Sequence, residues 1–319
     1  MSRKVLTVGE ILVEIVATTK GEGFLEAQPL IGPFPSGAPA IFTDQLARLG
    51  TPAAIVSRVG DDDFGHLNVR RLKADGVDVS GIEVARGEAT GSAFVRYRPD
   101  GSRVFVYNIA HSATGNLRLT PEVDLLIASC DHVHMMGTAL SAPGIATVAR
   151  QAVERITARG GTLSFDPNLR PEILDTPGLR QALVDVLAKT DLFLPSGDEI
   201  FLFTEATEEA GAVRELLDRG IRDIVIKRGH RGASHFSHEG RTDVAPLSVK
   251  EVDPTGAGDC FGAAYVSFWL GGASPRTALR YANAAGAHAT TKLGPMEGAA
   301  TRQELDVLLS PTKGGSHVQ

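Results

Sequence analysis

The chain has 319 residues, of which 43% are hydrophobic, and its formal net charge is −6. A chain of this length and composition can bury one large α/β core or two smaller ones. The acidic balance and the scattered basic residues argue against nucleic-acid partners and against binding to an anionic membrane. A small molecule is therefore the expected partner.

Cysteine usage and the N-terminal residues predict a cytoplasmic protein. The two cysteines are Cys130 and Cys260, and the second lies inside a glycine-rich motif, so a disulfide framework is not expected. The apolar run Val5–Val8 is too short for the core of a signal peptide. No apolar run reaches the length of a membrane span.

Short apolar runs alternate with helical patterns along the chain. Val5–Val8 is followed by a helical pattern at Ile41–Leu49, which leads to the apolar run Ala53–Val56. Further apolar runs lie at 132–136, 162–165, 192–194 and 224–227, and further helical patterns at 145–158, 257–270, 275–290 and 302–309. This order predicts an α/β fold with a mainly parallel central sheet covered by helices.

Two segments, about 11–35 and 84–112, interrupt the alternation. In the second, the runs Phe94–Arg98 and Val104–Tyr107 flank the turn sequence PDGS, which predicts a β-hairpin. We expect the two segments to form a small antiparallel sheet over one edge of the main sheet. A single domain then spans residues 1–310, and 311–319 forms a polar tail.

The stretch 253–264, with the sequence DPTGAGDCFGAA, is the most informative part of the chain. Gly256 and Gly258 free the backbone to point several N–H groups into one concavity, and a helix predicted from Ala257 adds its positive end. Such a site holds anions. Asp259 would repel a bound phosphate unless it takes the proton of an attacking hydroxyl, so the motif indicates phosphoryl transfer.

Two other nucleotide-binding motifs do not fit this stretch. Phe261 stands where a dinucleotide-binding fingerprint needs its third glycine, and the chain has no GxxxxGK[ST] P-loop. Taken alone, the motif also fits an ordinary helix start in which Asp259 only complements the helix dipole.

The same stretch resembles the C-terminal signature of the ribokinase-like (PfkB) carbohydrate kinases. A second set of segments, at 36–40, 46–50 and 59–65, is similar to the family's N-terminal signature. The resemblance implies a three-layer αβα fold with a mainly parallel central sheet and a small β lid, which the two interrupting segments would form. It also implies ATP and Mg²⁺ as cofactors, K⁺ as a further expectation, and a homodimer.

Sugar-binding residues follow from this resemblance. Glu14 lies where relatives usually carry an Asp that binds sugar hydroxyls, and a solvated strand-end Glu is the alternative. Gly37 and Ala38 begin the first signature helix and are expected to offer backbone N–H groups to the sugar. His111 would hydrogen-bond a hydroxyl or only cap the lid. Ile41 replaces an Asn that relatives often have, so one polar contact would be absent.

The resemblance also assigns residues to the phosphates and to Mg²⁺. Arg170, in the sequence DPNLR after a strand, would reach the transferring phosphate, although a surface Arg after a turn is an equal alternative. Glu199 would hold Mg²⁺ through water, with Ser196 in place of the usual Asn and Asp198 as a rival ligand.

The nucleotide and K⁺ sites complete the residues that the resemblance implies. Asp253 and Thr255 fit a K⁺ site beside the anion-binding loop. The residues expected to bind the nucleotide are Ser196, Lys227, Gly229, Gly232, Gly256, Gly258 and Asn283.

Two further patterns raise the question of a metal site. His132 and His134 alternate on a predicted strand and so face the same side, but no third ligand is evident in the sequence nearby. The run Asp61–Asp63 is more typical of a solvated loop than of a metal site.

Together these features predict ATP-dependent phosphorylation of a primary hydroxyl of a neutral sugar, with fructose or tagatose as the leading candidates. Asp259 would be the general base, and the backbone of Gly256, Ala257 and Gly258 would stabilise the developing charge.

Two alternatives stay open. In 2-keto-3-deoxygluconate kinases an Arg stands where this chain has Ile109, so another lid arginine would have to pair with that substrate's carboxylate. The candidates are Arg96, Arg98 and Arg103, for which a solvent-facing position is expected. A binding module without catalysis is the second alternative, motivated by the departures at Glu14, Ile41 and Ser196.

Overall fold

The computed structural model describes residues 3–21, 24–100, 103–169 and 175–310. The predicted tail 311–319 and the hairpin residues 101–102 lie outside the described residues. The strands are β1 (Val5–Val8), β2 (Leu12–Lys20), β3 (Leu30–Ser36), β4 (Ala53–Gly60), β5 (Asp78–Ala85), β6 (Gly91–Tyr97), β7 (Arg103–Asn108), β8 (His132–Met136), β9 (Thr162–Asp166), β10 (Leu192–Phe193), β11 (Asp223–Lys227), β12 (Ala233–Ser237) and β13 (Gly240–Val244). The α-helices are α1 (Ala38–Arg48), α2 (Asp63–Ala74), α3 (Pro121–Ala128), α4 (Pro143–Ala158), α5 (Leu179–Leu187), α6 (Glu209–Asp218), α7 (Ala257–Leu270), α8 (Pro275–Ala289) and α9 (Arg302–Leu309).

A nine-stranded sheet forms the centre of the described structure, in the order β13-β12-β11-β10-β9-β8-β1-β4-β5. Neighbouring strands from β11 to β5 pair in parallel, whereas β12 and β13 add an antiparallel edge. Strands β1, β8 and β9 are buried along their whole length. Continuous burial is what parallel strands covered on both faces require.

Helices cover both faces of this sheet. On one face, α3, α4, α5 and α6 enclose a core that includes Ile145, Leu183 and Leu216. On the other face, α1, α7, α8 and α9 enclose a second core that includes Phe42 and Tyr265. The predicted three-layer αβα fold is therefore confirmed.

A separate four-stranded sheet, which we call the lid, has the order β3-β2-β6-β7. The hairpin pairing of β6 with β7 is antiparallel, and so is the pairing of β2 with β3. The central pair β2 and β6 is parallel, so the expectation of an all-antiparallel lid was wrong. The reason is topological: β2 and β6 both follow strands of the parallel main sheet and leave its same edge in one direction.

The carboxyl ends of β1, β8, β9, β10 and β11 meet at one edge of the main sheet, because these strands are parallel. Such an edge is the usual place for a ligand site in an open α/β sheet. Elsewhere, both cysteines are buried and unpaired. None of the helices in the described ranges is long and apolar enough to cross a bilayer.

Candidate active site

A cavity of about 310 Å³ lies between the lid and the carboxyl ends of the main strands. The lid lines it with Leu12, Glu14, Ser36, Ala93, Arg103, Phe105 and Tyr107, together with Ile109 just after β7. The main domain lines it with Glu10, Gly37, Ala38, Ile41, Thr138, Asn168, Leu169, Ser196, Glu199, Lys227, Pro254, Thr255, Gly256, Gly258 and Asp259. Segments from both ends of the chain therefore converge on one cavity.

Helix α7 begins at this cavity. Its N-cap residue Gly256 has φ 80°, and a Cβ added there would lie 2.4 Å from the carbonyl oxygen of Pro295. Glycine is required on both counts, because that φ disfavours side chains and the space is filled. The first turn carries Asp259, which is only 7% exposed. The helix start therefore combines the backbone N–H groups of a first helical turn with one carboxylate.

Asn168 holds that carboxylate. Its side-chain Nδ2 donates to Asp259 Oδ1 at 2.9 Å, and its backbone N donates to Asp166 Oδ1 at 3.1 Å. Asn168 has φ 42°, a left-handed conformation that Asn tolerates better than most side chains. The turn after β9 thus fixes the orientation of Asp259 toward the cavity.

Charged groups form the floor beneath the start of α7. Lys227 Nζ pairs with Asp166 Oδ2, and the Lys227 side chain is 10% exposed. Burial acts to lower the pKa of Lys227, but the carboxylates of Asp166 and Glu199 outweigh it and raise that pKa, so the ammonium stays charged. Burial and the nearby Asp166 raise the pKa of Glu199, against the opposing effect of Lys227.

Backbone N–H groups orient Glu199. Its Oε1 accepts from Leu169 N at 2.9 Å, and its Oε2 accepts from Ser196 N at 2.7 Å. Each oxygen can accept one further hydrogen bond, and Glu199 lines the cavity. Together with Asp166, Glu199 offers the carboxylate oxygens that Mg²⁺ prefers, and a water-mediated contact fits this geometry.

The opposite end of the cavity carries two buried carboxylates, Glu10 and Glu14, which are 3% and 4% exposed. Between them and helix α1 lies Gly37, with φ 110°, where a Cβ would stand 2.5 Å from the carbonyl oxygen of Glu10. This glycine lets the start of α1 approach the end of β1. The apolar side chain of Ile41 completes this wall.

The lid contacts the loop before α7 through an arginine. Arg103 Nη1 donates to Thr255 Oγ1 at 2.7 Å. Asp253 Oδ1 accepts from Thr255 N at 2.9 Å and from Thr255 Oγ1 at 2.7 Å, while its Oδ2 accepts from Gly294 N at 3.1 Å. Phe105 and Tyr107 of β7 also line the cavity on the same side as Arg103. Every second side chain of a β-strand points to the same face, which accounts for this spacing.

Most of the predicted site residues meet at this cavity. Those that line it are Glu14, Gly37, Ala38, Ser196, Glu199, Lys227, Thr255, Gly256, Gly258 and Asp259. Ala257 begins α7 beside them, and Asp253 is buried directly behind Thr255. Their roles remain predictions.

Other predicted residues do not line the cavity. His111 is exposed. Asn283 donates from its side chain to the carbonyl oxygen of Ala245 at 3.0 Å, which ties α8 to the end of β13. Gly229 and Gly232 frame the turn after β11. Arg170 lies outside the described residues.

Sequence reasoning missed Glu10, Asn168 and Asp166 as site residues, and it expected a solvent-facing position for Arg103, which lines the cavity. The first three follow or end parallel strands, and that position was the available signal. Arg103 could not be found this way, because its contact with Thr255 joins residues 152 positions apart.

The residues considered for other metal sites have structural partners. His132 Nε2 and His134 Nδ1 lie 2.8 and 2.6 Å from Ser164 Oγ, inside the sheet. Asp62 accepts from Gly65 N at 2.8 Å and caps α2. Within the described ranges, no group of three or more His, Cys, Asp or Glu side chains is placed to hold a metal.

Comparison with known proteins assigns the family. Residues 2–302 match the model of the pfkB family carbohydrate kinases. The chain belongs to this family. This pfkB carbohydrate kinase is 33% identical over 300 residues to probable fructokinase-3 of Arabidopsis thaliana, covering 91% of this chain and 86% of the relative. It is 31% identical to the fructokinase of Solanum tuberosum, covering 98% of this chain and 96% of that one.

Solved structures show the same fold as this pfkB carbohydrate kinase. A candidate ribokinase II from E. coli, solved with ATP and Mg²⁺, aligns with a TM-score of 0.90 and 44% identity, covering 96% of this chain and 98% of that one. A fructokinase from Vibrio cholerae aligns with a TM-score of 0.80 at 24% identity, covering 97% and 99%.

Proposed function

We propose that this carbohydrate kinase transfers the γ-phosphoryl group of ATP to a primary hydroxyl of a neutral ketohexose, fructose or tagatose. The observation that carries the proposal is the Asp259 carboxylate at the start of α7, held by Asn168 inside a cavity that the lid helps to line. The plant relatives named as fructokinases support the sugar class.

Asp259 takes the proton of the substrate hydroxyl as its oxygen attacks the γ-phosphorus. The bond from that phosphorus to the bridging oxygen of ATP breaks, and ADP leaves. The backbone N–H groups of Gly256, Ala257 and Gly258 stabilise charge on the phosphoryl oxygens. Arg170 reaches the same phosphate in this proposal.

The metal sites are part of the proposal. Glu199, with Asp166 close by, would hold Mg²⁺ through water, and the ion would neutralise phosphate charge when bound. The buried carboxylate of Asp253 and the side chain of Thr255 would hold K⁺.

The nucleotide lies along the turn after β11 in this proposal. Ser196, Lys227, Gly229 and Gly232 border that path, and Asn283 supports it from α8.

The sugar end of the cavity favours a neutral, hydroxyl-rich substrate. The buried carboxylates of Glu10 and Glu14 accept hydrogen bonds from hydroxyl groups and repel a substrate carboxylate. The start of α1 at Gly37 and Ala38 adds backbone donors. His111 completes the site only if the lid moves, because its side chain is exposed in the described structure.

One observation favours a second candidate, 2-keto-3-deoxygluconate kinase. Arg103 lines the cavity and supplies a lid cation, whereas the sequence predicted a solvent-facing side chain. A sugar acid could pair with this guanidinium, although it would have to displace Thr255 and tolerate Glu10 and Glu14.

The remaining partner and compartment assignments are also proposals. Val106 is 55% exposed on the lid face opposite Phe105 and Tyr107, and Leu30 is 44% exposed on the same sheet. A second lid would cover these apolar side chains in a homodimer. The two buried, unpaired thiols suit the reducing cytoplasm.

The test is Mg²⁺-dependent ADP release by the purified protein with a panel of acceptors. The panel contains fructose, tagatose, other neutral sugars, nucleosides and 2-keto-3-deoxygluconate. Turnover on a ketohexose is the expected result. Preference for the sugar acid would instead assign Arg103 as its carboxylate partner, and no turnover on any acceptor would contradict the proposal.

A further inference from the structure

Lys227 is the cation of an acidic cluster at the floor of the active-site cavity. Its ammonium pairs with Asp166 and also feels the carboxylates of Glu199 and Asp259. Asp166 therefore contacts this ammonium, and two further carboxylates act on it over a longer range. A buried ion pair of this kind seldom adds net stability compared with well-packed apolar side chains, so its presence at a cavity calls for another explanation.

The position of the ammonium relative to α7 supplies that explanation. Among the described residues outside the backbone of α7, Lys227 Nζ lies closest to a Cβ placed on Gly258, at 4.0 Å. Gly258 lies in the first turn of α7, between the N-cap Gly256 and Asp259. The ammonium therefore faces the backbone N–H groups where an anion binds.

Lys227 also has the freedom to change partners. It is the last residue of β11, so its backbone is held by the sheet while its side chain extends into the cavity. An incoming phosphate brings more negative charge than Asp166 and competes for the same ammonium. A lysine ammonium suits this task, because it is a compact point charge with three donors on a flexible chain.

We propose that Lys227 is a catalytic residue whose ammonium contacts the γ-phosphoryl oxygens of ATP during transfer. This inference rests on the proposed kinase function and adds to it a role at the reacting group. Lys227 neither forms a bond nor gives up a proton: the proton of the acceptor goes to Asp259, and the bond between the γ-phosphorus and ADP breaks. The ammonium stabilises the charge on the transferring oxygens.

The first test compares Lys227→Met with the wild type on the best acceptor of the panel. We expect kcat to fall by about 100-fold or more, the usual loss when one charge-stabilising donor is removed. In calorimetry without sugar, ATP affinity should fall by about tenfold while ADP affinity changes by less than about threefold. Equal losses for ATP and ADP would overturn the assignment to the γ-phosphoryl group.

Removal of Lys227 alone leaves Asp166 buried and unpaired, so the variant could lose activity by losing structure. The double variant Lys227→Met/Asp166→Asn removes both charges, and the single variant Asp166→Asn is its matched control. We expect the double variant to recover the Tm lost in Lys227→Met, but not kcat or ATP affinity. Recovery of kcat to within about threefold of Asp166→Asn would show that Lys227 is only structural.

The design separates this inference from the proposed function. If the wild type phosphorylates none of the acceptors, the proposed sugar kinase activity fails. The difference between ATP and ADP binding still tests Lys227 in that case, because it needs no acceptor. Unchanged ATP affinity in both Lys227 variants would then overturn the inference.

Discussion

Asn168 orients the base of the proposed reaction from an unusual backbone conformation. Its φ of 42° lies in the left-handed region, and its side chain donates to Asp259 at 2.9 Å. Strained positions of this kind cluster at functional sites, where the surrounding structure holds them. The strain and the contact can be separated experimentally, because glycine adopts the same φ without a side chain.

Asn168→Gly should lower kcat by about tenfold through loss of a hydrogen bond to a charged group, with Tm close to the wild-type value. Asn168→Ala should lose the same contact and in addition lower Tm, because alanine disfavours this φ. Steady-state kinetics and thermal unfolding of both variants are the measurements. Wild-type kcat in Asn168→Gly would show that Asp259 needs no such support.

Gly256 has a residue-scale prediction of its own. Gly256→Ala should lower both kcat and Tm for two reasons. The added Cβ would lie 2.4 Å from the carbonyl oxygen of Pro295, and alanine disfavours the backbone φ of 80°. Gly272→Ala is the matched control, since Gly272 has φ 74° and nothing within 4 Å of the added Cβ. The control should lose only about 1 kcal/mol of stability and keep its kcat. Equal effects in the two variants would contradict the assigned contact.

At the scale of elements, Arg103 joins the lid to the proposed phosphate-binding end of the cavity. Its hydrogen bond to Thr255 links strand β7 to the loop that leads into α7. A lid that closes over the substrate excludes water, which competes as an acceptor for the phosphoryl group. Arg103 is therefore placed to couple closure of the lid to the reacting end of the site.

Arg103→Met should raise the KM for the sugar and increase ATP hydrolysis relative to sugar phosphorylation, because the lid closes less tightly. The control is Arg98→Met, since Arg98 is exposed on the same hairpin. Coupled ADP release with and without sugar gives both quantities. An unchanged ratio of hydrolysis to transfer in Arg103→Met would rule out this role for the contact.

The sequence predicted elements better than it predicted their partners. The signature DPTGAGD predicted Gly256, Gly258 and Asp259 at a helix start. This succeeded because a helix start depends on residues that are neighbours in the sequence. The parallel pairing of β2 with β6 was not predicted, since register between distant strands leaves no local signal. The same limit hid the contact of Lys227 with Asp166, 61 residues away.

For the whole molecule, two histidines buried within the central sheet link stability to pH. Burial, with a smaller effect from Arg3, lowers the pKa of His132 from 6.5 to about 3, and burial also lowers the pKa of His134. Between pH 3 and pH 6.5 the unfolded chain therefore binds more protons than the folded chain. Stability is fully present above pH 6.5 and is lost as the pH falls toward 3.

His132→Gln should reduce the slope of the free energy of unfolding against pH by about 1.4 kcal/mol per pH unit. This full reduction applies at pH values well below the pKa of a histidine in the unfolded chain. Denaturant unfolding between pH 6 and pH 5 measures the slope, which is independent of any overall loss of stability in the variant. His238→Gln is the control, because His238 is exposed. A slope in His132→Gln equal to that of the wild type would mean that this histidine is protonated in the folded protein.

The central claim is that Asp259 is the base in phosphoryl transfer from ATP to a sugar. Its most direct test is single-turnover transfer of labelled γ-phosphoryl to the best acceptor of the panel, by the wild type and by Asp259→Asn. We predict rapid transfer by the wild type, transfer about a thousandfold slower by the variant, and ATP affinities within about threefold of each other. Equal transfer rates would contradict the role of Asp259, and binding of ATP and sugar without transfer by the wild type would support a non-catalytic binding module.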